Sequence, residues 1–214
     1  MKWNLFEIYN VFGICGLFIV LLGFFTIFVS TYIFSYTGVV WKDFKKVFFA
    51  SDFDLEKMLA SYSGKNPFLI IIRDTVTKHS NHSEDMRAEV SYLFYKNFKK
   101  VASGITWLKI ISVISPLCGL LGTVIGMLTV FQVVAAETTP NPSVLAEGIW
   151  QALITTILGL VVAIPSLIAF YLMSLRMKWF QIETIEHCYR AFDIYRKIIH
   201  SRTIEDEANS YEEH

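Results

Sequence analysis

Charge is scarce in this sequence, and the gaps without it are long. Only 18% of the 214 residues are charged, against 54% hydrophobic, whereas about 25% of a typical soluble domain is charged. No Asp, Glu, Lys or Arg occurs from Ile8 to Trp41, from Ile110 to Ala136 or from Gly148 to Leu175. Each gap exceeds the roughly 20 residues that carry a helix across a bilayer core. Three such runs in so short a chain leave too little polar surface to cover them in water, so three transmembrane helices are predicted. Cysteine is also scarce. The three cysteines are too scattered for a disulfide framework and read as packing residues, Cys15 and Cys118 within apolar runs and Cys188 beyond the last. The formal net charge is zero, so no basic surplus points to nucleic acid. No pairing of nucleophile and base, no metal-ligand cluster and no phosphate loop appears, which argues against an enzyme, a metal site or a cofactor. His79 and His82 stand three apart without a third ligand nearby and read as solvated. The first apolar run has no small-residue cleavage site after it and reads as an uncleaved anchor.

The charges that are present are unevenly placed. Of 19 Lys and Arg residues, one precedes the first run, twelve lie from Lys42 to Lys109, none lies between the second and third runs, and six follow the third. Positive residues collect on the cytoplasmic side, so the N-terminus and the short second loop are expected outside, and the long loop and the C-terminal tail inside. The chain divides accordingly into an interfacial segment with the first span (1–41), a cytoplasmic helical loop (42–109), the second span (110–136), an outer loop (137–147), the third span (148–175), and a cytoplasmic helix with an acidic tail (176–214). The fold class is all-α, with the second and third spans extended into the cytoplasm as a helical bundle.

Taken in order, residues 1–10 place Trp3, Phe6 and Tyr9 among polar residues, which suits a short interfacial helix. From Val11 to Tyr36 the first span has no internal polar stripe and reads as lipid-facing, with Gly13, Gly16 and Gly23 as weak contact signals. Phe53 to Tyr62 repeats at helical spacing, and Pro67 suits the first turn of a second short helix reaching Val76. Ser83 is a candidate N-cap, and from there a helical pattern through Val90, Leu93, Phe94, Phe98 and Val101 enters the second span without a breaker. Ser143 is the expected N-cap of the third helix. Beyond Leu175, the stripe Phe180, Ile182, Ile185, Tyr189, Phe192, Tyr195 and Ile199 should pack on a neighbouring helix or another subunit. Thr203 to His214 loses periodicity and is expected to be disordered.

Two spans carry small and hydroxyl residues on one side. In the third, Gly148, Ala152, Thr155, Thr156, Gly159, Ala163 and Ser166 share a face at about 100° per residue, with Glu147, Gln151 and Thr155 along its edge. In the second, Ser112, Pro116, Gly119, Thr123 and Gly126 lie within about 60° of Thr123. In hydrocarbon, small residues that let backbones approach and hydroxyls that hydrogen-bond are what draw helices together. Gly122-x-x-x-Gly126 is such a packing signal. Pro116 should kink its helix and free the Ser112 carbonyl, which needs a partner or a water-filled cavity. Together these faces suit a helical hairpin and leave open a pore or relay.

The stretches PLCGLLGTVIG, from Pro116 to Gly126, and GIWQALITTILGLVVAIP, from Gly148 to Pro165, resemble the MotA/TolQ/ExbB proton-channel family, above all its three-span ExbB and TolQ branch. The resemblance implies a homopentamer whose second and third spans line a pore in the bacterial inner membrane. It implies an ExbD- or TolR-like one-span partner carrying a membrane Asp, and work passed to a TonB- or TolA-like protein. It also implies pore-facing hydroxyls at Thr123 and Thr156, with Pro116, Gly119, Gly122, Gly126, Gly159 and Pro165 shaping and packing the two helices. Gln151 stands where that branch commonly holds glutamate, and glutamine cannot release a proton. Glu147, one turn earlier, either supplies an acid there or favours the helix dipole as a first-turn residue. A structural scaffold that oligomerises without conducting is the competing reading.

Overall fold

The computed structural model describes residues 5–48, 66–78, 86–136 and 142–212. Every element among them is α-helical: α1 (Leu5–Phe48), α2 (Pro67–Lys78), α3 (Met86–Asn97), α4 (Lys99–Ala136) and α5 (Pro142–Glu212). Three helices are long and apolar enough to cross a membrane, with spans inside α1, α4 and α5. The expectations for His79, His82, Ser83, the 53–62 helix and the apex of the outer loop fall outside the described residues.

Several boundaries move. α1 runs unbroken for 44 residues from Leu5, so no break separates the expected interfacial segment from the first span. A helix already paid for by nucleation extends cheaply until a strong breaker intervenes, and no proline occurs between Leu5 and Phe48. α5 begins at Pro142, so Ser143 lies inside the first turn instead of capping it; proline suits the first helical position, whose N–H has no intrahelical acceptor. The same helix continues to Glu212, which corrects the expectation of a disordered tail. Asn66 caps α2 from outside: its Oδ1 accepts from the Phe68 N–H at 3.1 Å, and its Nδ2 donates to the Val40 carbonyl at 3.0 Å. Between α3 and α4 the chain barely pauses, since Phe98 N–H donates to Phe94 O and Ala102 N–H to Phe98 O. The entry into the second span is thus nearly continuous from Met86, with the single residue Phe98 between the two helices.

The chain forms two compact units. One joins Met1–Phe34 with Ser103–Ser174, the other Ser35–Ala102 with Leu175–His214. The core of the second is aromatic. Trp41 stacks on Phe180 at 4.9 Å between centroids and on Phe44 at 5.4 Å, Phe68 meets Phe44 at 5.2 Å and Phe98 at 5.1 Å, and Phe94 meets Phe98 at 4.6 Å. Such pairs contribute about 0.5–1.5 kcal/mol each beyond the area they bury. The face of α5 that closes this core differs from the sequence stripe. Phe180, Thr184, His187, Cys188, Ala191 and Phe192 are buried, while Ile182, Tyr189 and Ile199 are exposed.

In the first unit, α1 is anchored along one edge. Ile19, Thr26 and Ile33 are buried at steps of seven, whereas Phe24, Phe28 and Phe34 are exposed. Thr26 Oγ1 lies 3.1 Å from Ser166 Oγ on α5, so the first span does carry a polar contact. Gly23 packs against Val162 nearby.

Candidate functional site

The site is built where α4 and α5 cross in the first unit, and glycine sets how closely they approach. A β-carbon on Gly119 would stand 2.9 Å from both the Thr155 carbonyl oxygen and the Thr156 Cα, closer than real β-carbons come to backbone. Farther along, Gly122 meets the Thr155 side chain and Gly126 meets Ala152. Five of the seven small-face residues of the third span, Ala152, Thr155, Gly159, Ala163 and Ser166, are buried, and Gly148 and Thr156 are half-buried. Trp150 and Val161, on the other side, are exposed.

The close approach brings hydroxyls onto a backbone carbonyl. Thr155 Oγ1 and Thr156 Oγ1 lie 3.3 and 3.2 Å from the Gly119 carbonyl oxygen. Thr155 has one hydrogen and a nearer acceptor in Ala152 O at 2.7 Å. For Thr156, Gly119 O is the acceptor the geometry supplies, so Thr156 ties the hairpin together. A hydroxyl that donates in this way keeps its lone pairs available as acceptors.

The remaining sequence candidates divide by position. Thr123 is half-buried on the open side of α4, where its hydroxyl donates to Leu120 O at 2.7 Å, and it takes no part in the Thr155–Thr156–Gly119 cluster. Gln151 is half-buried and Glu147 exposed, so the edge 147–151–155 runs from solvent-accessible to buried. α4 passes through Pro116 and α5 through Pro165 without interruption. Beside Pro165, Ser166 Oγ donates to Val162 O at 2.7 Å. Ser112 Oγ donates to Lys109 O at 2.8 Å, one turn before Pro116. Thr26 was missed in the sequence; its signal was a hydroxyl at the seven-residue step from Ile19 and Ile33.

The order of these features along α4 and α5, PLCGLLGTVIG followed by GIWQALITTILG, lies inside residues 55–184, more than half of the chain, which match the family model described as the MotA/TolQ/ExbB proton channel family. The chain belongs to that family. Among similar proteins are the biopolymer transport protein exbB1 of Vibrio cholerae, 34% identical over 56% of this chain and 54% of the relative, and the biopolymer transport protein ExbB of Salmonella typhimurium, 44% identical over 30% and 26%. The Tol-Pal system protein TolQ of Haemophilus influenzae is 31% identical over 49% of this chain and 44% of the relative. The chain thus spans about half, or less, of the length of these relatives. All eleven sequence-nominated site residues, from Pro116 to Pro165, lie in the matched interval.

Proposed function

We propose that the chain is the channel-forming, stator-like subunit of an inner-membrane motor that uses the proton motive force. It assembles as a homo-oligomer, a pentamer, whose α4 and α5 surround a one-span partner of the ExbD or TolR kind. The partner supplies the titrating carboxylate, because Gln151 cannot, and passes work to a TonB- or TolA-like protein. The N-terminus faces the periplasm and the C-terminus the cytoplasm, as the placement of Lys and Arg favours.

The observation that carries this reading is the pair of threonine hydroxyls on the Gly119 carbonyl, set within helices of membrane-crossing length. Polar groups in hydrocarbon persist where they are satisfied or line a wet path. Hydroxyls both donate and accept, so they relay a proton along water without placing a fixed charge in the bilayer. Thr123, on the open side of α4, is the second hydroxyl of the path, and Thr155 supports Thr156 from the buried side. A scaffold would use the same glycines for packing but has no need of Thr123.

The test is proton flux into proteoliposomes holding the chain together with its one-span partner. Thr123→Val or Thr156→Ala should lower flux at least tenfold while the assembled complex still elutes at wild-type size. Full flux in both variants removes the two residues from the path, and absence of flux in the wild-type complex favours the scaffold.

A further inference from the structure

The fold turns two cysteines that stand far apart in the sequence toward each other. Cys15 on α1 and Cys118 on α4 both belong to the first unit, and both are free, half-buried thiols. The contacts between the two helices decide how they face. Trp107 meets Phe25 edge-on with 6.2 Å between ring centroids, and a β-carbon on Gly104 would stand 2.7 Å from Ile33 Cδ1 and 3.5 Å from Val29 Cγ1. α1 and α4 therefore run antiparallel in direct contact. Gly104 and Trp107 mark the side of α4 turned to α1, and Val29 and Ile33 mark the answering side of α1.

Both cysteines lie on these sides. Cys118 comes fourteen residues after Gly104, which at about 100° per residue sets it about 40° round the helix, between Gly104 and Trp107. Cys15 comes eighteen residues before Ile33, a whole number of turns, and so lies on the same line along α1. Their heights agree as well. Ten residues back from Phe25 and eleven on from Trp107 cover about 15 and about 16.5 Å of helix, so the two residues sit level. The thiols are also within electrostatic reach of each other. Helices packed with about 8–10 Å between axes, each carrying its α-carbons about 2.3 Å from its own axis, bring directly facing α-carbons to within about 6 Å. A disulfide spans about 4.4–6.8 Å between α-carbons.

We propose that Cys15 and Cys118 are a redox-active pair whose oxidation closes one disulfide and staples α1 to α4. The oxidant is a small lipid-soluble disulfide. One cysteine sulfur attacks it, forming a mixed disulfide and releasing one thiol of the oxidant; the second cysteine then attacks the mixed disulfide and releases the other. Two cysteine S–H bonds are lost and one S–S bond forms between the helices. The oxidant's S–S bond is reduced to two thiols, which carry away both protons and both electrons. The first attack is slow in apolar surroundings, where the reactive thiolate is scarce. The second is fast because its partner is already in place. The inference stands apart from the proton-channel reading.

The test treats the full chain in proteoliposomes with dithiodipyridine, counts the released thiopyridone by absorbance, and maps the products by mass spectrometry of a non-reduced digest. The wild type should release two thiopyridones per chain, keep no pyridyl adduct, and yield the Cys15 peptide joined to the Cys118 peptide. Cys15→Ser and Cys118→Ser should each release half as much and keep the adduct on the remaining cysteine. Cys188, fully buried, should react in none of them. A wild type that carries separate adducts on Cys15 and Cys118, that links two chains instead of two helices, or that does not react at these positions overturns the pair. The wild-type products decide the matter by themselves, so the outcome does not depend on either variant folding.

Discussion

The carbonyl oxygen of Ser115 rests against Gly159, so near that a β-carbon on Gly159 would stand 2.6 Å from it. The contact is backbone to backbone, where no side-chain rotation relieves a clash. Gly159→Ala should therefore force α4 and α5 apart and cost about 1–3 kcal/mol, as overpacking does. The expected outcome is a lower melting temperature of the purified protein in detergent, and an unchanged melting temperature would show that the hairpin yields freely at this point.

Thr26 and Ser166 give a second measurable contact. Their hydroxyls face each other at 3.1 Å, and each also lies near a carbonyl of its own helix, Leu22 O at 2.9 Å and Val162 O at 2.7 Å. A double-mutant cycle with Thr26→Val and Ser166→Ala should yield a coupling of about 0.6 kcal/mol and no more than about 1.7. Strict additivity would mean that the two hydroxyls are satisfied wholly within their own helices.

His187 predicts how the second unit responds to acid. The imidazole is buried against Phe44 at 5.2 Å between centroids. Burial pushes its pKa below the ordinary 6.5, with Arg190 acting the same way, while Glu183, 3.6 Å away, and Glu186 pull it back up. The unfolded chain then binds the extra proton first. Stability is greatest above about pH 6.5 and falls as pH drops from there toward the lower folded-state value. Thermal unfolding at pH 7.5 and pH 5.5 should show this loss in the wild type and a smaller one in His187→Phe; equal losses would assign the acid sensitivity to other groups.

Cys188 should be chemically silent in the folded protein. It is fully buried, and desolvation pushes its thiol up to about 12 despite the Thr75 hydroxyl, which lowers it. The thiolate is the reactive form, so a maleimide at pH 8 should leave Cys188 unlabelled until the chain is denatured. Rapid labelling of the native protein at this position would show that α5 opens locally.

The aromatic core shows why part of the fold was legible and part was not. Pro67 announces α2 because its ring fits the first helical turn, and Asn66 is the kind of residue that caps one. By contrast, the cytoplasmic stripe of α5 is legible only in part: Phe180 and Phe192 are buried as expected, whereas Ile182, Tyr189 and Ile199 are exposed. Thr184, His187 and Cys188 are buried beside them, and a scale that ranks Ile182 and Tyr189 as core-seekers points elsewhere. The same flattening hid the Ile19–Thr26–Ile33 edge of α1. Where every side of a helix is apolar, hydrophobic period carries no information about which side is buried.

Sequence alone determined the three membrane-length helices and their family, because unbroken apolar runs and the PLCGLLGTVIG and GIWQALITTILG stretches are local properties of the chain. It also nominated the glycines and threonines of the hairpin. Tertiary structure decided how they are placed: the register of α4 on α5 puts Thr155 and Thr156 on the Gly119 carbonyl and leaves Thr123 outside that cluster, on Leu120 O. Register is a property of two helices meeting, set by which backbones can approach to within a missing β-carbon, and no single helix contains it.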